Sequence, residues 1–300
     1  MQLIHGGKQI LMPIISSPSE TVSLPSLDSP VDDFLMQGLL ATLQLRNSEA
    51  YHRLLSNRSN YPFAPCHTYA MDGRARCLTT LQISIVTNYG DILDRLSPNC
   101  IVMWHHMCMS LTADIQIFDL AAGRYGAHPA RKALDDIAAW SQTPAARRAC
   151  LHAAQIFKSL ANRKASDAIM FHSVFALFSA ALVLGLYTFM VPREMETQAA
   201  SSSIELLDDI DWKQVGNEGF TSFMEPRGSQ PYVYTDDPAA NFIRHGGTVY
   251  VRGVHHQGGY QSARRLLLDY AGLLKDTGNW SVRKFSYVLH IMSDVLMDVD

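Results

Sequence analysis

The 300-residue chain is rich in apolar residues and close to electrically neutral. Residues of the set AVILMFWYC make up 47% of it, charged residues only 18%, and the formal net charge at pH 7 is -3. This balance excludes a disordered tail or a coiled-coil rod, which carry more charge and fewer apolar groups. It also provides no overall positive field for a polyanion, so nucleic-acid binding would need a local basic patch.

The cysteines indicate a reducing compartment. The chain has five, an odd number, at Cys66, Cys77, Cys100, Cys108 and Cys150. Free buried thiols explain these positions better than a disulfide framework, so we expect an intracellular protein. The first residues also lack the continuous apolar segment of a secretory signal, because Pro13 interrupts a short apolar run.

We expect one folded domain behind a flexible N-terminal segment at 1–30, whose Ser/Pro-rich part has little to bury. The domain at 31–300 is divided into N-terminal helices at 31–96, a helical core at 97–192, acidic and Gly-rich loops at 193–259, and C-terminal helices at 260–300. In its first part the sequence predicts helices at 31–46 and 49–55, irregular chain at 57–76, and either a helix or a strand at 78–89.

Capping signals place three helices in the core. Ser97-Pro98 supplies an N-cap followed by proline, and apolar residues at steps of three and four predict one helix over 98–122 that ends at Gly123. Pro129 begins the next helix, and Thr143-Pro144 repeats the capping signal for a third. The short links between these helices indicate antiparallel neighbours.

The remaining elements complete an all-α architecture. Helices are predicted at 260–275 and 279–297, and one short ribbon at 248–251. Because no run of strands is present to build a large sheet, the sequence predicts a multi-helix globular bundle with irregular Gly/Pro-rich connections. A long apolar helix would form its centre.

That apolar segment, residues 168–191, has two interpretations. It contains no Asp, Glu, Lys or Arg over more than twenty positions, which is long enough to span a bilayer. A helix that is apolar on all sides can equally be the central element of a helical core. Polar residues inside the segment, such as His172, and the lack of aromatic and basic anchors at its ends favour the core.

Histidine is frequent enough to suggest a metal-dependent hydrolase. Candidate ligands are His105, His106, His152, His172, His255, His256 and His290. Because His105 and His106 are adjacent, they diverge by about 100° on a helix and cannot face one metal ion. His290 and Asp294 share a helix face at i, i+4, which suits a ligand pair or a base with its orienting carboxylate. Since no HExxH or CxxC pattern occurs, we expect no metal site.

Other motifs have simpler explanations than catalysis. Gly253 and Gly258 have the spacing of a phosphate-binding loop, but residues 259–260 replace the required lysine and hydroxyl, so a tight turn is predicted. No nucleophile elbow is present, and the acidic residues at 208–211 are expected to form a solvated loop. The paired arginines at 147–148 are expected on a solvated helix face.

Several short, separate segments of the sequence together resemble one protein family. They are Trp-His-His at 104–106, Ala-Gly-Arg at 122–124, WSQTPAAR at 140–147, LHAAQIF at 151–157, GGYQSARR at 258–265 and LHIMSDVL at 289–296. Together they resemble the fungal-specific transcription factor domain, which is the regulatory region of fungal zinc-finger transcription factors. The blocks extend over about two-thirds of the chain, and the last two look like the C-terminal region of relatives with C2H2 fingers.

The resemblance implies a regulatory and protein-interaction domain of a nuclear transcription factor that acts on RNA polymerase II genes. It implies no enzymatic activity, no catalytic residue and no metal ligand in this chain. Zinc and DNA contacts belong to an upstream module, and neither a C2H2 finger pattern nor a six-cysteine cluster occurs here. We therefore expect either a fragment or shortened gene product, or a finger-less relative.

Such a domain would act through contacts with itself or with other transcription proteins, and no membrane is expected. A small effector bound in the helical core is a further expectation, although no binding residue is assigned to it. A helical metal-dependent hydrolase and a single-span membrane protein are the alternative functions.

Overall fold

Helices make up most of the structure. The computed structural model describes residues 2–5, 8–11, 24, 31–54, 64–191, 203–220, 237–277 and 280–295. In these residues the helices are α1 (Asp33–Leu54), α2 (Pro65–Ala70), α3 (Cys77–Leu93), α4 (Pro98–Thr112), α5 (Ile115–Ala121), α6 (Ala127–Ser141), α7 (Pro144–Ala161), α8 (Phe171–Met190), α9 (Trp212–Val215), α10 (Pro238–His245), α11 (Tyr260–Asp276) and α12 (Trp280–Val295). The strands are β1 (Gln2–His5), β2 (Lys8–Leu11), β3 (Ser203–Glu205), β4 (Thr248–Val251) and β5 (Val254–His256). The predicted all-α class is confirmed, with small β elements added.

The N-terminal part contains one long helix where the sequence predicted two. The helix α1 continues through Asn47-Ser48 because buried residues on both sides, such as Leu43 and Ala50, pack into the same core. Tertiary packing therefore overrides the weak helix propensity of the Asn-Ser pair.

The segment predicted to be irregular is partly helical. Residues 65–70 form α2, which has proline at its first position and buries Tyr69. Residues 55–63 lie outside the described part of the chain. The ambiguous segment at 78–89 belongs to the helix α3.

The helix predicted over 98–122 is wrong in its length, because the structure divides it into α4 and α5. Ala113 has extended backbone angles, φ -140° and ψ 128°, which end α4. The carboxylate of Asp114 then caps α5 by accepting a hydrogen bond from the backbone N–H of Gln116 at 3.2 Å. The apolar periodicity continues across this break, so spacing alone could not show it.

The capping predictions at Ser97, Thr143 and Gly123 are confirmed, whereas the helix predicted to begin at Pro129 begins earlier, at Ala127. Ser97 accepts a hydrogen bond from the backbone N–H of Asn99, and Thr143 accepts one from that of Ala146. Gly123 has φ +85°, the left-handed conformation expected after a helix C-terminus. Local chemistry thus determines where these helices begin and end.

The helix α8 is the centre of the fold. It packs against α4, α5, α6, α7, α11 and α12, and Gly185 allows α11 to come close, since a Cβ there would lie 2.7 Å from Cδ2 of Leu267. Among the described residues α8 is the helix that is long and apolar enough to span a membrane, yet 83% of its apolar window is buried inside the protein. This burial supports the interpretation of α8 as a core helix.

A three-stranded sheet packs beside the helix α10. The strand β3 pairs in parallel with β4, which pairs in an antiparallel way with β5. The ribbon predicted at 248–251 is β4, and Arg252 and Gly253, both with positive φ, form the turn to β5. The Glu205 carboxylate accepts hydrogen bonds from the backbone N–H groups of these two residues at 3.1 and 2.8 Å. The loops predicted at 193–259 are therefore partly ordered by β3, α9, α10, β4 and β5.

The N-terminal segment contains an unpredicted hairpin. The strands β1 and β2 pair in an antiparallel way, with Gln2 opposite Leu11. The rest of the segment predicted to be flexible, apart from Leu24, lies outside the described residues. At the other end of the chain, α11 and α12 agree with the predicted C-terminal helices.

Candidate functional site

A cleft lies where α1, α2, α4, α5 and α8 meet. Its volume is about 430 Å³. We call it the Asn47 cleft and define it by Gln44, Asn47, Tyr51, His106, Asp119 and Phe175, all of which line it. Its size falls within the range of small-molecule sites, about 300–1,000 Å³.

Three side chains of this cleft carry buried polar atoms without a hydrogen-bond partner in the described structure. They are Oε1 of Gln44, both Nδ2 and Oδ1 of Asn47, and Nε2 of His106. Asn47 is only 5% exposed. A buried polar atom without a partner costs about 1–3 kcal/mol, so these atoms call for a partner such as a bound water, an ion or a ligand.

The polar groups of the cleft are neutral or already paired. Burial, with the charge of His172 nearby, lowers the pKa of His106 to about 4, so this imidazole is neutral at pH 7. Asp119 forms an ion pair with Arg124 at 2.8 Å. The Tyr51 hydroxyl donates to the carboxylate of Asp114 at 2.8 Å. A histidine with such a low pKa is a weak base, so the cleft is better suited to binding than to proton transfer.

His105 and His106 point to different places, as the sequence predicted. His106 lines the Asn47 cleft, with its ring 5.8 Å from that of Phe175. His105 packs in the core, where its Nδ1 lies 2.9 Å from Nδ1 of His152. The two histidines cannot act on one ligand.

The buried histidine pair belongs to an aromatic cluster. The ring of His152 stacks on Trp212 at 3.9 Å with an interplanar angle of 9°, and Trp104 packs edge-on against both histidines. Burial lowers the pKa of His105 to about 3 and that of His152 well below its ordinary value. Both imidazoles are therefore neutral, and one Nδ1–H donates to the other ring.

A second cleft, of about 510 Å³, lies beside His105 and is lined by acidic residues. Asp209 in it pairs with Lys158 at 2.7 Å, and Asp91 lies 3.6 Å from Lys213. Burial and the neighbouring acids raise the pKa of Asp94. Because the side chains of Asp91 and Asp209 are almost fully exposed, this cleft resembles a solvated charged surface more than a built site.

The residues that the sequence suggested for metal binding have other partners. Nδ1 of His290 bonds to the carbonyl of Ser286 at 2.8 Å, and Asp294 lies 3.7 Å from Arg264. In the part of the chain that the structure describes, no group of three or more His, Cys, Asp or Glu is placed to hold a metal ion. The other histidine candidates are separate, with His172 bonded to a carbonyl of α4 and His255 stacked on Tyr250.

The expectation of a solvated face at 147–148 is wrong. Arg148 is 1% exposed, and its guanidinium donates to the carbonyls of Gly216 and Glu218 at 2.7 and 2.6 Å. It also lies 3.8 Å from the ring centroid of Phe220. Arg147 is half-buried and donates to the carbonyl of Ile243. These arginines attach residues 216–218 and the helix α10 to α7, a structural role that requires partners far away in the sequence.

The acidic and glycine-rich motifs have structural roles. Asp211 caps α9 through the backbone N–H of Lys213, whereas Asp209 is exposed as predicted. The glycines at 258 and 259 have φ of +77° and +76° and immediately precede α11, which agrees with the predicted turn. The five cysteines are free, as expected.

Sequence reasoning did not find Gln44 or Asn47. These residues are three positions apart on α1, so they share a helix face with apolar residues. The two side-chain amides on the apolar face of a helix could have indicated this site. The sequence instead predicted that the helix ends before Asn47.

Comparison with known proteins identifies no similar protein. The chain matches no protein-family model, no curated protein and no solved structure. The resemblance to the fungal-specific transcription factor domain therefore stays a prediction, carried by the sequence blocks alone.

Proposed function

We propose that this chain is a regulatory domain of a nuclear transcription factor and that it responds to a small molecule bound in the Asn47 cleft. It would not be an enzyme, and a separate zinc module would contact DNA. The observation that carries the proposal is the set of buried, unpartnered polar atoms on neutral residues that line the cleft. Buried polar groups usually have hydrogen-bond partners, so several unpartnered ones beside one cleft suggest a bound molecule there.

The position of the cleft suggests how binding would be transmitted. The helices α1 and α2 supply one side of the cleft, and the core helices α4, α5 and α8 supply the other. A ligand that contacts both sides favours the arrangement in which α1 is packed on the core. The resemblance places the DNA-binding module before this domain, so a change at α1 would reach that module first.

The near-neutral charge of the chain is consistent with a domain that leaves DNA contact to a separate module. A net charge of -3 gives little attraction for phosphate groups, which supply most of the affinity in non-specific DNA binding. Contacts with other transcription proteins or with a second copy would then mediate the effect on transcription.

A reporter assay tests the proposal. The full chain is fused behind an unrelated DNA-binding module, and transcription from a matching promoter is compared with that of the module alone. We expect the fusion to change transcription relative to the module alone. The fusion that carries Asn47→Leu should change transcription by a different amount. Asn88→Leu, at an exposed position of α3, is the matched control and should behave as the unmodified fusion. Output equal to that of the module alone in all three fusions contradicts the proposal.

A further inference from the structure

We infer that the Asn47 cleft binds a neutral ring compound that presents an N–H group beside a carbonyl group, as a lactam does. The inference rests on the effector role proposed above and specifies the ligand class for that same site.

The side-chain amide of Asn47 determines the hydrogen-bonding pattern. It offers a donor, Nδ2, and an acceptor, Oδ1, side by side, and neither has a partner in the described structure. A lactam edge is the complement of this pair, because its carbonyl accepts from Nδ2 while its N–H donates to Oδ1. Asparagine reads the edge of adenine through the same kind of paired contact.

Two further atoms extend the pattern. Oε1 of Gln44, three residues before Asn47 on α1, is a second acceptor without a partner. Nε2 of His106, across the cleft on α4, is also unpartnered. A ring with one more donor group could therefore contact both sides of the cleft.

The charges favour a neutral ligand. Arg124, the arginine that lines the cleft, is compensated by Asp119 at 2.8 Å. His106 carries no charge at neutral pH, as shown above. A charged ligand would lose its hydration without gaining an unpaired counter-ion, which is costly in a buried site.

The walls of the cleft favour a flat ring. Phe175, Tyr69 and the ring of His106 line it, and aromatic surfaces bind planar apolar faces well. The volume of about 430 Å³ accommodates one or two fused rings. The unpartnered atoms are shielded from bulk water, so a bound ring must displace side chains at the rim to reach them.

Binding of two closely matched probes tests the ligand class. Isocarbostyril is a bicyclic lactam, and its N-methyl derivative lacks only the N–H donor. Each is titrated into the full chain, labelled with ¹⁵N, while the side-chain amide resonance of Asn47 is followed. We expect isocarbostyril to shift this resonance and to bind about tenfold or more tightly than the N-methyl compound, since one buried hydrogen bond is lost.

Variants locate the binding. Asn47→Leu should weaken isocarbostyril binding by about tenfold or more, whereas the control Asn88→Leu should bind as the unmodified chain does. Naphthoate, an anion of similar shape, should bind more weakly than isocarbostyril. Equal binding of both lactams, binding that is unchanged in Asn47→Leu, or no binding of isocarbostyril overturns the inference.

The two proposals can fail separately. If the reporter output changes in Asn47→Leu but the chain binds the two lactams equally, the cleft is regulatory and the ligand class is wrong. Isocarbostyril binding through Asn47, together with a reporter output equal to that of the DNA-binding module alone, supports the ligand class and contradicts the transcriptional role.

Discussion

The Nδ1 atoms of His105 and His152 lie 2.9 Å apart in the core, where both side chains are buried. Two imidazolium rings could not occupy these positions, because each would carry a proton at Nδ1 and a positive charge. The contact therefore requires at least one neutral ring, and the structure favours two. The stability of the fold should then depend on pH.

We predict that the protein loses stability as the pH falls below about 6.5. An unfolded chain takes up protons at its histidines near pH 6.5, whereas burial lowers the pKa of His106 to about 4 and of His105 to about 3 in the fold. Between these values the unfolded state binds more protons, so the free energy of unfolding decreases by about 1.4 kcal/mol per pH unit for each such histidine. Urea unfolding followed by tryptophan fluorescence from pH 7.5 to 4.5 measures this slope.

The double variant His105→Phe, His152→Phe provides the comparison. It removes two of the four described histidines whose pKa burial lowers, so it should reduce the slope by about half, whatever its absolute stability. Asn88→Leu, at an exposed position of α3, is a control, because it changes no titrating group and should leave the slope unchanged. An unaltered slope in the double variant would show that these histidines are not the source of the acid sensitivity.

Arg148 should be essential for stability although it takes part in no proposed binding. Arg148→Met leaves the carbonyls of Gly216 and Glu218 without their buried donor, and each unpaired carbonyl costs about 1–3 kcal/mol. We expect the free energy of unfolding to fall by about 2–4 kcal/mol in chemical denaturation. Arg131→Met, at an exposed position of α6, should change it by less than about 0.5 kcal/mol. Equal stability of the two variants would refute the anchoring role of Arg148.

The same substitution at two helical glycines should have opposite effects. At Gly272 on α11 an added Cβ meets nothing within 4 Å, so Gly272→Ala should stabilise the protein by about 0.5–1 kcal/mol through helix propensity. At Gly185 the added Cβ lies 2.7 Å from the buried Leu267, so Gly185→Ala should destabilise it by about 1–3 kcal/mol through overpacking. Thermal unfolding of both variants checks the contact between α8 and α11. A stabilising Gly185→Ala would contradict it.

A charge in the middle of α8 tests whether this helix is a core element. Leu182 is fully buried, and Leu182→Asp places an unpaired carboxylate in the core at a cost of several kcal/mol, a large share of typical stability. We expect loss of cooperative unfolding in circular dichroism, whereas Leu45→Asp, at a position that is 53% exposed, should stay folded. A soluble, cooperatively folded Leu182→Asp variant, or a native chain extracted only with detergent, would support the membrane interpretation.

The sequence predicted those features that depend on neighbouring residues. Helix starts at Ser97 and Thr143 and the helix end at Gly123 were predictable, because capping involves side chains and backbone groups within a few positions. The divergence of His105 and His106 followed from helix geometry alone. The apolar composition of α8 likewise indicated a central helix.

Features that depend on distant partners were not predictable. Arg148 looked solvated because its carbonyl partners, at 216 and 218, are about seventy positions away. The break at Ala113 was hidden because the apolar stripe continues into α5. Asn47 looked like a helix end, and only the packing of α1 in the folded chain shows that it is a buried residue beside a cleft.

The free energy of unfolding of Asn47→Leu tests most directly whether the Asn47 amide serves a ligand rather than the fold. Without a ligand, the substitution removes two unpartnered buried atoms, so stability should rise by about 1 kcal/mol or more. Asn88→Leu, the same change at an exposed helical position, should gain only about 0.5 kcal/mol from helix propensity. If Asn47→Leu instead lowers the unfolding free energy by about 1 kcal/mol or more, the amide is a structural partner within the fold and the binding role proposed for the Asn47 cleft is wrong.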